Sequence, residues 1–130
     1  MTQSKDDRDR NDLRKLPMMP IRDKVIFPHS MAPFVIGRES SLRALEEALN
    51  GDRKIFLAAQ YDARVDEPRA DDISSIGTIG NIVQSIRMPN GNIEVLIEGL
   101  ERAHAVEVNN SGGFFVATVS TAKIDLEPSL

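Results

Sequence analysis

The stretch from Leu16 to Leu49 constrains the fold more than any other part of the chain. It begins with an apolar segment, Leu16–Ile21, which carries prolines at its second and fifth positions. Because proline has no N–H to donate to a sheet, we expect a strand that lies at an edge or pairs from one side only. A short apolar run then stops at Pro28, and Pro33–Ile36 is predicted to form a second strand.

The same stretch ends in the only strong helix signal of the chain. The flexible residue Gly37 allows the chain to change from strand to helix. We predict a helix that begins between Gly37 and Ser41 and stops at Asn50-Gly51. Leucines recur at helical spacing on one side, with charged residues on the other. Burial of each leucine is worth roughly 1.5–3 kcal/mol, so the helix is expected to dock on a sheet. The predicted buried stripe consists of Leu42, Leu45 and Leu49.

The residues after the helix predict strands and turns. Lys54–Ala59 is a nearly continuous apolar run, as expected of a strand that is buried on both faces. Tyr61–Asp72 is a polar loop, and Asp71 or Asp72 could cap a helical turn over Ile73–Ile76. The next predicted strand runs from Gly77 to Met88, with a bulge or a close backbone approach at Gly80.

Asn90-Gly91 is the clearest local signal. Between two apolar runs it predicts a hairpin with a type I′ turn, because both residues tolerate positive φ. Beyond it, Gly99 is expected to bend the chain, and further strands are predicted over Ala103–Val108 and Phe114–Thr121, joined by a turn over Asn109–Gly113. The sum is a mainly β (α+β) fold of about six strands and one helix, arranged as a small curled sheet or barrel with the helix packed on it.

Composition limits the class of protein. A chain of 130 residues is expected to form one domain, and without cysteine it has neither a disulfide framework nor a thiol metal site, which suits the cytoplasm. The net charge of −4 weighs against a nucleic-acid partner. No apolar run approaches the length of a membrane span, and a secretory signal is not evident. Residues 1–15 are predicted to be a disordered polar arm, 16–123 the domain, and 124–130 a tail that leads to a missing downstream region.

The search for chemistry predicts no catalytic, cofactor or metal site. No lysine follows a glycine as a phosphate-binding loop requires, and no serine lies in a nucleophile elbow. His29 and His104 lack a second ligand at helical spacing. Arg22-Asp23 is interpreted as an ion pair that closes the corner between two strands.

A surface for protein contacts is the remaining possibility. Methionine side chains are adaptable and recur at surfaces that accept varied partners. Three of them lie close in sequence to Phe34 and to the proline-limited strand. An alternative that is at least as well supported is that these methionines fill an irregular core. The predicted protein-binding residues are Met18, Met19, Met31 and Phe34.

Several motifs in order resemble the start of the N-terminal domain of the Lon family of ATP-dependent serine proteases. Later residues match too, so that the resemblance covers roughly Leu16 to Val119, and Ile21 departs from the usual leucine without physical consequence. The matching features are Leu16-Pro17, Pro20–Asp23, Phe27–His29, Pro33, Gly37-Arg38, Ser41, Ala44–Glu46, Ala59-Gln60, Gly77-Thr78, Pro89–Gly91 and Val95–Ala103.

The resemblance implies a PUA-like pseudo-barrel that recognises unfolded or misfolded protein substrates and supports assembly of a homo-oligomer. It implies a hexameric parent protein, while the isolated domain would be a monomer or weak dimer. ATP, Mg²⁺ and a serine–lysine peptidase site would belong to later domains, so this chain would hold no catalytic residue. Two alternatives remain at this point: a stand-alone adaptor built only from this domain, and, less favoured by the acidic balance, an RNA-binding PUA-like module.

Overall fold

The computed structural model describes residues 13–22 and 24–121. The predicted arm therefore overlaps the described part only at 13–15, which belong to the first strand, and the predicted tail lies outside it. In chain order the elements are β1 (Leu13–Ile21), β2 (Met31–Ile36), α1 (Glu39–Asn50), β3 (Lys54–Gln60), a 3₁₀ turn (Ala70–Asp72), β4 (Ile73–Arg87), β5 (Ile93–Ser111) and β6 (Phe114–Ser120).

The sheet closes on itself because β5 is long enough to serve two sets of neighbours. Its first half pairs with β2 and β4, and its last residues pair with β6. Five strands thus form a ring in the order β5–β4–β3–β1–β6, and β2 lies outside the ring with β5 as its partner. The predicted mainly β fold with six strands, one helix and a curled sheet is confirmed among the described residues.

β1 and β3 pair in parallel, and the connection between them carries β2 and α1. A parallel pair requires such a long crossover. The prolines of β1 each have a strand partner on one side: Pro17 is paired with β6 and Pro20 with β3. One-sided pairing thus holds for the two proline residues, but the strand as a whole pairs with β3 on one side and β6 on the other, so the expectation of an edge strand or a strand paired from one side only is wrong.

The buried side chains form two separate cores. The ring core lies inside the five-stranded ring and takes Phe56 and Ala58 from β3. The helix-side core lies between α1, β2 and the outer face of the ring, and takes Ile55 and Leu57 from the same strand. Since successive residues of a strand point to opposite faces, the continuous apolar run of β3 supplies both cores. The predicted burial of this strand on both faces is confirmed.

The helix docks through smaller residues than the leucine spacing predicts. Leu45 is fully buried, as expected, but Leu42 and Leu49 are only partly buried. The remaining buried positions are Ser41, Ala44 and Ala48. Small side chains allow the helix axis to approach β1 closely, which turns Leu42 and Leu49 toward the margins of the contact.

Several predicted turns differ from the observed ones. The hairpin at Asn90-Gly91 is confirmed, but only Gly91 has positive φ (92°), so the turn is not type I′. The Gly91 N–H donates to the carbonyl of Met88 (3.0 Å), with Pro89 at the second position of the turn. Proline at the second position and glycine at the fourth favour a type I turn, and here the glycine that ends the turn has a left-handed backbone conformation.

Two further local predictions are wrong. The helical turn occupies Ala70–Asp72, before the predicted Ile73–Ile76, because the β-branched Ile73 already begins β4. Gly99 does not end a strand. β5 continues through it, with the bulge residue Leu100 directly after it. The loop before β2 crosses at this glycine, where a Cβ would lie 2.2 Å from the carbonyl oxygen of Phe27.

The turn into β6 is also shorter than predicted, because β5 continues to Ser111 and leaves only Gly112-Gly113. The register shifts between Ile79 and Gly80, but the extra residue is Leu100 of β5, so Gly80 lies opposite a bulge; the extra residue of β4 is Val83. Bulges increase local twist and bend a strand, which helps β4 to follow the curved ring.

Candidate functional site

An open groove lies between the last residues of β1 and the last residues of β2. Its volume is about 450 Å³, which is within the range typical of ligand sites. We call it the edge groove, because its two walls are the unpaired edges of these strands. Its lining residues are Met19, Pro20, Ile21, Arg22, Lys24, Phe34, Val35, Ile36, Gly37, Arg38 and Ser41.

Both walls of the edge groove are strand edges that the rest of the sheet leaves open. Pairing of β1 with β6 ends at Met18, so the following residues of β1 have only β3 beside them. β2 pairs only with β5 among the described strands. Each open edge carries a proline, Pro20 or Pro33, which cannot donate a ladder hydrogen bond. The two edges therefore cannot be bridged by continuous strand pairing.

A basic side chain caps the carbonyl of each edge proline. The Arg38 Nη2 donates to the carbonyl oxygen of Pro20 at 3.1 Å, and the Lys24 Nζ donates to that of Pro33. The Lys24 Nζ also lies 5.3 Å from the centroid of the Phe34 ring, within cation–π range. The earlier residue of the first segment, Pro20, thus contacts the later residue of the second, Arg38, and the later residue, Lys24, contacts the earlier one, Pro33. The two segments therefore run in opposite directions. The two bridges thus connect the two wall segments of the groove.

The charge along the groove is predominantly positive. Arg22, Lys24 and Arg38 line it, and none of its described lining residues is acidic. The Arg22 Nη2 lies 3.3 Å from the Asp66 Oδ1, while the Arg38 Nη1 donates to the Asp66 carbonyl oxygen at 2.9 Å. Partial burial lowers the pKa of Arg38, and the nearby Arg22 lowers it further, against an opposite effect of Asp66. The positive charge of Arg38 is therefore less well compensated by water and by acidic side chains than that of an exposed arginine.

Ser41 adds an unsatisfied hydroxyl to the same site. Its side chain is only 3% exposed, it lines the groove, and its Oγ has no hydrogen-bond partner among the described residues. Leaving a buried hydroxyl unpaired costs about 1–3 kcal/mol. The first turn of α1, to which Ser41 belongs, has no side-chain cap and carries the positive end of the helix dipole. The helix end of the groove is therefore suited to a hydrogen-bond acceptor with negative charge.

A second, wider depression of about 850 Å³ lies on the other side of Arg38. It is bounded by the loop before β4, the first turn of α1 and the turn between β5 and β6. Its charges are mixed: the Arg43 Nη2 donates to the Glu39 Oε2 at 2.8 Å, and Asp66 and Glu67 lie along it. It shares Arg22 and Arg38 with the edge groove, and Phe114 and Phe115 supply its apolar surface.

The prediction of one exposed surface formed by the methionines and Phe34 is wrong. Met18 is buried in the ring core and Met19 in the helix-side core, because alternation along β1 sends them to opposite faces. Phe34 is buried as well, and only Met31 is exposed, at 55%. Core filling is thus the correct alternative for Met18 and Met19. Met19 and Phe34 nevertheless line the edge groove from below.

The groove's polar residues were missed by reasoning from sequence. Arg38 and Ser41 belong to motifs shared with the Lon family, but the sequence does not indicate a binding role for them, because that role depends on β1 passing close to the start of α1. The two prolines were the available signal, since each marks an edge that cannot pair fully. That these two edges lie next to each other is visible only in the tertiary structure.

The other predicted residues have structural positions. Asp23 lies outside the described residues, and Arg22 pairs with Asp66. A Cβ on Gly37 would lie 2.9 Å from the Asn92 Oδ1, so the end of β2 packs tightly on the hairpin loop. The Asn90 Oδ1 accepts the Asn92 N–H at 3.0 Å within that loop. Pro28 is partly buried in the loop before β2.

Neither histidine lies in a cluster. His29 is exposed in a loop at φ 69°, and its N–H donates to the Gly99 carbonyl, while His104 is half-buried on β5. Within 13–22 and 24–121 there is no group of three or more histidine or carboxylate side chains arranged to hold a metal ion. None of the helices in this part of the chain is long and apolar enough to span a bilayer.

Comparison with known proteins gives consistent matches to one family. A family model described as the ATP-dependent protease La (LON) substrate-binding domain matches residues 15–129. Lon protease of Solibacter usitatus is 59% identical over 125 residues, which cover 95% of this chain and 16% of that protein. Lon protease of Escherichia coli K12 is 40% identical over 109 residues, which cover 84% of this chain and 14% of that protein. The chain thus spans only a small part of the length of these relatives.

Solved structures agree on the fold. The N-terminal domain of Mycobacterium avium complex Lon protease superposes with a TM-score of 0.67 at 18% identity, covering 85% of this chain and 56% of that one. The Lon N-terminal domain protein from Xanthomonas campestris gives a TM-score of 0.65 at 16% identity, covering 88% of this chain and 66% of that one.

Proposed function

Because the chain belongs to the family of Lon substrate-binding domains, we propose that it holds polypeptide substrates for an ATP-dependent Lon-type protease and performs no catalysis itself. The observation that best supports this function is the edge groove. Its floor is continuous with the helix-side core, so an inserted apolar side chain would extend an existing core. Such a groove is better suited to binding a polypeptide than to catalysing a reaction, because it combines an apolar floor with positive charge and unpaired strand edges.

Selection for unfolded substrates follows from the geometry of the groove. Native proteins bury their large apolar side chains, whereas an unfolded chain can present them on an extended backbone. The groove is open and partly polar, and ordering the bound chain offsets much of the contact energy. We therefore expect dissociation constants on the order of micromolar or weaker for one domain.

The parent protein would gain affinity by presenting several copies. We propose a homo-oligomer, hexameric by family resemblance, in which a chain can contact more than one domain at once. ATP and Mg²⁺ would bind to other domains, and the site of action would be the cytoplasm. The domain itself would comprise the predicted 16–123, extended to Leu13 at the start of β1. A stand-alone adaptor or an RNA-binding module is supported by no comparable observation.

A titration followed by backbone amide shifts tests this function. The isotope-labelled chain is mixed with a protein kept unfolded by alkylation of its thiols, and separately with the native form of that protein. We expect shifts around Met19, Val35 and Arg38 with the unfolded form alone. Equal responses to both forms, or shifts confined to the ring strands far from the groove, would contradict the proposed function.

A further inference from the structure

We propose that the edge groove recognises the free C-terminal carboxylate of an unfolded chain that ends in a large apolar residue. This inference rests on the proposed function and specifies its substrate. It is carried by three features that meet in one cavity: hydrogen-bond donors without acceptors, an apolar floor, and two bridges that cross between the walls.

The donors lie at the helix end of the groove. Arg38 uses two of its five N–H donors, one on the Pro20 carbonyl and one on the Asp66 carbonyl. The hydroxyl of Ser41 is buried beside it without a partner among the described residues. A carboxylate can accept from both groups, and hydrogen bonds between charged partners are roughly twice as strong as neutral ones. The uncapped N-terminus of the helix favours the same charge.

The apolar floor lies in the same cavity as these donors. Met19, Phe34 and Ile36 belong both to the groove lining and to the helix-side core. In an extended chain the side chains of neighbouring residues point in opposite directions, so an internal acidic residue and its neighbour cannot both enter one small cavity. A C-terminal residue carries an apolar side chain and a carboxylate on the same carbon. It is the residue that matches both parts of the groove.

The two bridges favour a chain end over a chain that runs through. The hydrogen bonds from Arg38 to Pro20 and from Lys24 to Pro33 each cross from one wall segment of the groove to the other. A through-running segment would have to break one bridge, whereas a terminal residue can enter from the open face. An N-terminus fits poorly, because its positive charge would lie among Arg22, Lys24 and Arg38.

The carboxylate of Asp66 would compete with the bound carboxylate for the positive charges of Arg22 and Arg38. Its side chain is bound to Arg22 and exposed on the rim of the neighbouring depression. A bound carboxylate near Arg38 would be repelled by it across a short distance. Removal of the Asp66 charge should therefore strengthen binding, while removal of the Arg38 charge should weaken it.

The test uses two fluorescent peptides of one sequence that end in leucine, one with a free carboxylate and one amidated, and measures fluorescence anisotropy with the 130-residue chain. We expect the acid to bind about tenfold more tightly than the amide. Arg38→Gln and Ser41→Ala should each reduce this preference without affecting the amide. Asp66→Asn should strengthen binding of the acid. Arg102→Gln, which changes an exposed arginine on β5 that pairs with Thr78 and does not line the groove, is the matched control and should change nothing.

The outcomes separate this inference from the proposed function. Equal affinity of acid and amide for the unmodified chain would overturn carboxylate recognition. Equal affinity for a peptide with an internal glutamate and an amidated end would overturn the requirement for a chain end, and with it the inference. Neither result requires a variant to fold. Binding of the alkylated, unfolded protein would still support the proposed function in both cases. Failure of that protein to bind would refute the proposed function as well.

Discussion

The ring core and the helix-side core take alternate residues from the same two strands, yet only one of them is enclosed. β1 gives Met18 to the ring core and Met19 to the helix-side core. Five paired strands surround the ring core, whereas the helix-side core reaches the edge groove between β1 and β2. The enclosed core can be optimised for packing alone, while the open core must leave surface for a ligand.

The difference originates in where the chain places its prolines. Pro20 and Pro33 lie on the two edges that border the groove, and neither edge can accept a full ladder of hydrogen bonds. The ring strands have no proline after Pro20 until the chain leaves β6. Backbone pairing therefore seals one core and leaves the other open on one side.

The largest expected effect is in the ring core. Phe56→Ala removes a fully buried ring and should lower the free energy of unfolding by about 3–5 kcal/mol. Denaturant unfolding measures this loss. Tyr61→Ala removes an exposed aromatic residue just beyond the same strand and is the control, with an expected change below about 0.5 kcal/mol. Similar losses in both variants would mean that the ring is not a tightly packed core.

The helix-side core should respond nearly as strongly, but only at the residues that the structure buries. Leu45→Ala is expected to cost about 2–4 kcal/mol, because its side chain is fully buried under α1. Leu42→Ala should cost clearly less, since Leu42 is only partly buried. Thermal or denaturant unfolding of both variants decides between the observed docking face and the stripe of three leucines. A larger loss for Leu42 would contradict the observed face.

The hairpin between β4 and β5 extends from the helix-side core, to which Ile82 and Ile93 belong, and should show an intermediate effect. Gly91→Val places a β-branched residue at φ 92° and should cost about 1–2 kcal/mol. Gly91→Asn should recover much of that loss, because asparagine tolerates the left-handed region. Unfolding experiments on the pair isolate the backbone effect from side-chain contacts, since a Cβ at this position meets no atom within 4 Å. Equal losses in both variants would point to another cause.

The smallest effect on stability is expected at Met31. Met31→Ser should change the free energy of unfolding by less than about 0.5 kcal/mol, since the side chain is exposed. We still predict a modest loss of affinity for unfolded protein, because Met31 lies on the same strand as Phe34 and can contact residues that precede the bound end. Anisotropy with the unfolded protein measures it. A large loss of stability would show that Met31 belongs to a core.

The sequence predicted the strands and the helix well, because these depend on local pattern. The apolar run of β3, the alternation at Ile93 to Ile97 and the stop at Asn50-Gly51 each reflect near neighbours in the chain. Turn geometry was less predictable, as at Asn90, because the residue before it, Pro89, selects a different turn type.

The groove could be anticipated only in part. Its prolines and its apolar floor are visible in the sequence, but the bridge from Arg38 to the Pro20 carbonyl joins residues 18 positions apart. Likewise, alternation along β1 sends Met18 and Met19 to different cores, and the sequence does not reveal that both faces of this strand are covered. The Arg38–Pro20 contact and the burial of both methionines depend on long-range packing, which local sequence patterns do not show.

The central claim is that unfolded chains bind where the helix-side core is open. Because the chain has no cysteine, a single one can be introduced and labelled with a benzophenone photocrosslinker. Val35→Cys puts the label on the groove wall, and Val106→Cys puts it on β5 outside the groove; the native side chains are similarly exposed, at 59% and 52%. Irradiation with the alkylated, unfolded protein should give several-fold more crosslinked product from position 35 than from position 106, and little from either with the native protein. Equal yields at the two positions, or a higher yield at 106, would contradict the assignment of the edge groove as the binding site.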